Sequence, residues 1–100
     1  MIKSGLPPIH PGEFLSETLQ ELGITQAHLA RAIGVSPMRV SHVVHGTRPV
    51  TAELALLLIL SRALGQSPQY WLNLQAAYDL ATAERALGDR LTRVPGLMPA

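Results

Sequence analysis

Histidine is the residue type in this chain best suited to chemistry. His42 and His45 stand three apart, close enough to share a helical face, and His10 and Glu13 have the same spacing. Zinc needs three or four converging ligands, and nothing here supplies a third from a predictable place. There is no cysteine, which excludes both a thiolate site and a disulfide framework. No glycine-rich phosphate loop is present, and no Ser or Lys lies in a recognisable nucleophile setting. Asp79, Glu84 and Asp89 belong to a polar helical face and look like ordinary solubilising charges. The expectation is therefore no metal, no cofactor and no enzyme.

The basic residues say more. From Leu22 to Ala52 there is no acidic side chain, while Arg31, Arg39 and Arg48 lie in that stretch with His28, His42 and His45. The stretch carries +3, and because the whole chain carries +1 the remainder carries −2 (1 − 3). A basic face on a nearly neutral protein is the footprint of a phosphate-binding surface. Chance clustering of three arginines gives the same count, and charge alone leaves both readings open.

The elements that must position these groups are helical. An apolar share of 47% in 100 residues suits one folded core, and aromatics at 4% leave Leu, Ala, Val and Ile to fill it. The longest apolar run, Leu54 to Leu60, is too short for a membrane span, and no apolar leader opens the chain. A cytoplasmic protein is expected.

Five helices are predicted. Pro11 starts the first, with Glu13 in its first turn, and Gly23 ends it. Thr25 caps a short second helix with Leu29, Ala30 and Ile33 on one face, closed by Gly34. Ser36 and Pro37 open the third, with Val40, Val43 and Val44 inward and Gly46 at its end. Thr51 caps a fourth helix to about Leu64, apolar all round and so expected as a central pillar, with Gly65 as its cap. Ser67 and Pro68 open a fifth that reaches about Leu87. Residues 1–9 and 88–100 are expected as flexible ends around one domain over 10–87.

Two short helices joined by Gly34, Val35 and Ser36 form a helix-turn-helix. Ala30 is small where the helices must approach, Gly34 permits the turn, and Val35 and Val40 plug the crossing. Such a unit presents its second helix to the DNA major groove.

The run Thr25-Gln26-Ala27, Leu29-Ala30, Ile33-Gly34-Val35-Ser36 resembles the helix-turn-helix of the Xre/Cro, phage-repressor-like family. His10-Pro11-Gly12-Glu13-Phe14-Leu15 before it and Ser67-Pro68-Gln69-Tyr70-Trp71-Leu72-Asn73-Leu74-Gln75 after it resemble the HigA-type antitoxins. The resemblance implies an all-α, five-helix bundle of the lambda-repressor-like type, with a C-terminal helix for dimerisation. It also implies a DNA-binding repressor with a small toxin partner, typically a ribonuclease, and autoregulation of the shared operon.

Carried over by residue, it implies a phosphate contact from Gln26 beside Thr25. Base-edge contacts fall to the start and exposed face of the second helix, at Pro37, Met38, Arg39, Ser41 and His42, with Ser36 and His45 also counted to the DNA-binding surface. Thr47 and Arg48 return to the backbone. Similar repressors often have glutamines where this chain has Pro37 and Met38. Pro37 has no donor and Met38 offers only apolar contact, so readout shifts to Arg39, Ser41 and His42. A homodimer is expected from helix five, one stripe (Tyr70, Leu74, Ala77, Ala81) docking on the core and another (Leu72, Ala76, Leu80, Ala83, Leu87) free for a two-fold mate. A stand-alone regulator of the same fold, or a helical protein-interaction module, remains open.

Overall fold

A computed structural model describes residues 7–62 and 64–98. It contains helices α1 (Pro11–Leu22), α2 (Gln26–Ile33), α3 (Pro37–Val44), α4 (Ala52–Leu60), α5 (Pro68–Leu87) and α6 (Arg90–Arg93), with no strand among the described residues. The all-α class and the order of five helices match expectation, and residues 1–6, in the expected flexible start, lie outside the described residues.

The helices begin where their caps dictate. Thr25, Ser36, Thr51 and Ser67 each accept, through the side-chain oxygen, the backbone N–H three residues on. Gly23 and Gly34 end α1 and α2 in the left-handed region, at φ 68° and 73°. The α1 cap is a histidine: His10 Nδ1 accepts from the Gly12 N–H at 2.9 Å.

The core joins Leu15 and Leu19 of α1, Leu29, Ala30 and Ile33 of α2, Val40 and Val43 of α3, Leu54, Ala55 and Leu58 of α4, and Trp71 of α5. Val50 and Leu64 complete it from the connections. Val35 packs against this cluster, as its place in the turn requires. Packing α1 onto α3 depends on Gly12: a Cβ there would overlap the Val43 carbonyl oxygen and sit 2.8 Å from its carbon.

Two expectations change at α4. It ends at Leu60, capped by Ser61, not near Leu64 at Gly65. The Ser61 hydroxyl donates to the Leu58 carbonyl at 2.6 Å and Arg62 turns to φ 61°, so the chain leaves the helix before Gly65. Nor is α4 buried on all sides. Leu54, Ala55 and Leu58 are buried, whereas Leu56 is 54% and Leu60 74% exposed. An apolar perimeter does not say how many sides have neighbours.

The docking stripe of α5 also differs from expectation. Trp71 and Gln75 are buried, Leu74 and Tyr78 half-buried, whereas Tyr70 and Ala77 are exposed. Beyond Gly88, where the sequence pattern fades, the chain makes one more helical turn as α6.

Candidate nucleic-acid interface

Helix α3 buries Val40 and Val43 and exposes its opening turn, with Pro37 exposed and Met38 67% exposed. Ser36 accepts the Arg39 N–H at 3.1 Å, which fixes where that turn begins. Arg39, Ser41 and His42 are half-buried, and His45 is exposed. His45 turns back on its own helix, its Nδ1 lying 2.8 Å from the Ser41 carbonyl and 3.3 Å from the Ser41 hydroxyl. At the α2 start, Gln26 is half-buried. Thr25 is exposed and accepts the His28 N–H, keeping its own hydroxyl proton to donate. Thr47 and Arg48 are exposed in the connection after α3, where the Thr47 hydroxyl donates to the His42 carbonyl at 3.1 Å.

Arg39 has a partner in this structure. Its Nη1 donates to Glu53 Oε1 at 2.9 Å, and its Nη2 reaches Thr51 Oγ1 at 3.4 Å. Glu53 is the first carboxylate after the acid-free stretch, which is the sequence signal for this pairing.

A family model for the helix-turn-helix matches residues 15–71. The virulence-associated protein I of Dichelobacter nodosus is 45% identical over 84 residues, covering 83% of this chain and 76% of that one. The antitoxin HigA-1 of Vibrio cholerae serotype O1 is 42% identical over 84 residues, covering 80% and 74%. The chain belongs to the HigA-type antitoxins of the helix-turn-helix family. The solved structure of the Pseudomonas aeruginosa antitoxin HigA with the higBA promoter matches at TM-score 0.81 and 42% identity, over 91% of this chain and 99% of the other. The relatives that share this helix-turn-helix are transcriptional regulators and antitoxins, not enzymes.

Sequence reasoning weighed His10 only beside Glu13 as a metal ligand, read Asp79 as a solubilising charge and gave Gln75 no role, yet His10 and Gln75 are buried behind this HigA-type surface. Gln75 of α5 accepts the Val50 N–H at 2.8 Å and donates to Asp79 at 3.0 Å. His10 lies edge-on to Tyr78, ring centroids 4.8 Å apart, and the Arg48 backbone acts on its ring, favouring the protonated form. With Nδ1 accepting from Gly12, Nε2 is left to carry the proton. Both residues stand in the flanking motifs, but only three-dimensional contact reveals that each reaches the 48–50 connection.

Burial holds the His10 imidazole below its ordinary value, against the opposing pull of Asp79, the Arg48 backbone and Glu13. A histidine whose folded pKa lies below its unfolded one binds fewer protons when folded. Its contribution to stability is present above about 6.5 and is lost as pH falls through the folded value. Protonating Nδ1 would also remove the α1 cap. Between pH 7.5 and 5 the melting temperature is expected to fall, and His10→Asn, which keeps a capping acceptor but cannot titrate, should flatten that fall. A variant profile parallel to wild type would assign the pH dependence to other groups.

Proposed function

We propose that this chain is the antitoxin of a two-gene module: a homodimeric repressor that binds operator DNA, represses its own operon and neutralises a small toxin of ribonuclease type. The observation that carries the reading is α3, an outward helix within an acid-free basic stretch, in a chain 42% identical to an antitoxin solved with its promoter. In this reading Gln26, Thr25, Thr47 and Arg48 meet phosphates, and the start of α3 at Ser36 and Pro37 enters the major groove. Met38 meets a thymine methyl, while Arg39, Ser41 and His42, with His45 behind them, read base edges.

One helix-turn-helix contacts few phosphates, so two copies on half-sites about 34 Å apart are required. The mate is met by apolar surface beyond the core stripe of α5, where Leu80 is 62% and Leu87 38% exposed. No described helix is long and apolar enough to cross a membrane, in keeping with a cytoplasmic repressor.

The test is binding to the DNA upstream of the chain's own reading frame, titrated against salt. Affinity is expected to drop steeply, with a log–log slope near −0.9 per phosphate contacted. A flat salt response, or no binding, sinks the repressor reading. Co-purification with the product of the adjacent reading frame, lethal when expressed alone, tests the antitoxin role; an adjacent product with neither property leaves a stand-alone regulator.

A further inference from the structure

We infer that Gln75 and His10 are positioning residues for DNA binding: from α5 and the start of α1 they hold residues 48–50 in place so that Arg48 meets the duplex backbone. This rests on the operator-binding reading and goes beyond it, because both side chains are buried, at 7% exposure each, and cannot touch a duplex.

The connection from α3 to α4 is tied locally only at its start, where the Thr47 and Arg48 N–H groups and the Thr47 hydroxyl donate to the His42 carbonyl; Pro49 and Val50 beyond it have no such local bond among those described. Gly46 takes φ 78°, and Thr47, Arg48 and Pro49 are all exposed. Such a segment would ordinarily sample many conformations, and ordering it on a ligand costs roughly 1–2 kcal/mol per residue. Here it is anchored on both sides of Pro49. On one side the His10 ring packs against Gly46 and feels the Arg48 backbone, and on the other the buried Val50 N–H donates to Gln75, 25 residues along the chain.

Packing alone does not account for Gln75. It stands on an otherwise largely apolar stripe with Trp71, Leu74 and Tyr78, where a leucine would fill the space without an amide to satisfy. The amide is instead engaged at both ends, its oxygen on Val50 and its nitrogen on Asp79. Asp79 also acts electrostatically on His10, so the two anchors are linked through one carboxylate. The connection between two helices of the DNA-binding half is thereby set by α5, the helix assigned to the dimer. An arginine held by its backbone meets a phosphate with less ordering cost, as preorganisation requires.

The experiment is a double-mutant cycle on DNA affinity, using the fragment upstream of the reading frame and temperatures at which circular dichroism shows every variant folded. In the wild-type background Arg48→Ala is expected to weaken binding about 3- to 10-fold and to reduce the salt slope by about one per protomer. In a Gln75→Met background, which keeps the volume and removes the acceptor, Arg48→Ala should change affinity by less than about 2-fold. The pair Gln75→Glu with Asp79→Asn restores an acceptor for Val50 and reverses the bond to position 79, and should recover the wild-type slope. If Gln75→Met does not fold, Asp79→Ala, which removes only the carboxylate behind the amide, carries the same cycle.

Equal Arg48→Ala factors in both backgrounds overturn the inference, because positioning requires that the two effects not add. A harmless Arg48→Ala in a wild type that still binds also overturns it and leaves the operator reading intact. A wild type that does not bind removes both.

Discussion

Substituting Ala for Gly12 is expected to remove about 3 kcal/mol or more of folding stability, the upper end of what overpacking does in a core. The added Cβ would overlap the Val43 carbonyl oxygen, with the Val43 carbon at 2.8 Å and Val44 Cα at 3.0 Å. All three atoms are backbone, so no side chain can rotate away, and α1 must separate from α3. A small domain has about 5–15 kcal/mol in total, so the loss is a large share of it. At roughly 4–8 °C per kcal/mol, the melting temperature should fall by more than about 12 °C. Gly65→Ala is the control, since its Cβ meets nothing within 4 Å and its φ is not positive. A Gly12→Ala variant melting within a few degrees of wild type would mean that the α1–α3 approach is looser than described. It would also mean that the seat of the recognition helix does not depend on this contact.

Arg39→Ala should leave the fold nearly untouched and weaken operator binding. The Arg39–Glu53 pair is on the surface, with side-chain exposures of 28% and 69%, and such pairs contribute only about 0–1 kcal/mol. A bidentate arginine–guanine contact is worth about 1–3 kcal/mol of discrimination, or roughly 5- to 150-fold per half-site, and a dimer makes it twice. Lysine should not rescue, because it lacks the planar fork. The expected signature is a large loss on the upstream operator, a small one on random duplex, and an almost unchanged melting temperature. Glu53→Gln should do the opposite on random duplex, tightening binding by removing a carboxylate beside the groove-entering helix. Equal Arg39→Ala losses on both DNAs would make Arg39 a phosphate contact. No loss on either would leave it as a tie between α3 and α4.

Arg39 also illustrates how far the candidate surface was legible before any fold was known. Its place off the buried face of α3 followed from the apolar spacing of Val40 and Val43, which turns the intervening residues away from the core. Its partner did not follow. Glu53 lies 14 residues away across a connection whose course depends on Gln75 and His10, and nothing local encodes that course. The α5 stripe was misplaced for a related reason. Helical spacing allows several apolar stripes on one helix, and only the position of α4 and α1 selects Trp71, Leu74, Gln75 and Tyr78.

Local chemistry was sufficient for the helix starts, since a cap and the N–H it satisfies lie within three residues: Thr25, Ser36, Thr51 and Ser67 could be read from type and place. The same holds for the left-handed glycines 23 and 34, and for the unit that presents α3. Long-range contact decided the rest: the open side of α4 at Leu56 and Leu60, the demand for no side chain at residue 12, and the buried anchors behind Arg48. Each of those depends on which neighbour arrives from a distant part of the chain. Caps, turns and periodicity are short-range properties, whereas burial and polar satisfaction exist only once the helices have met.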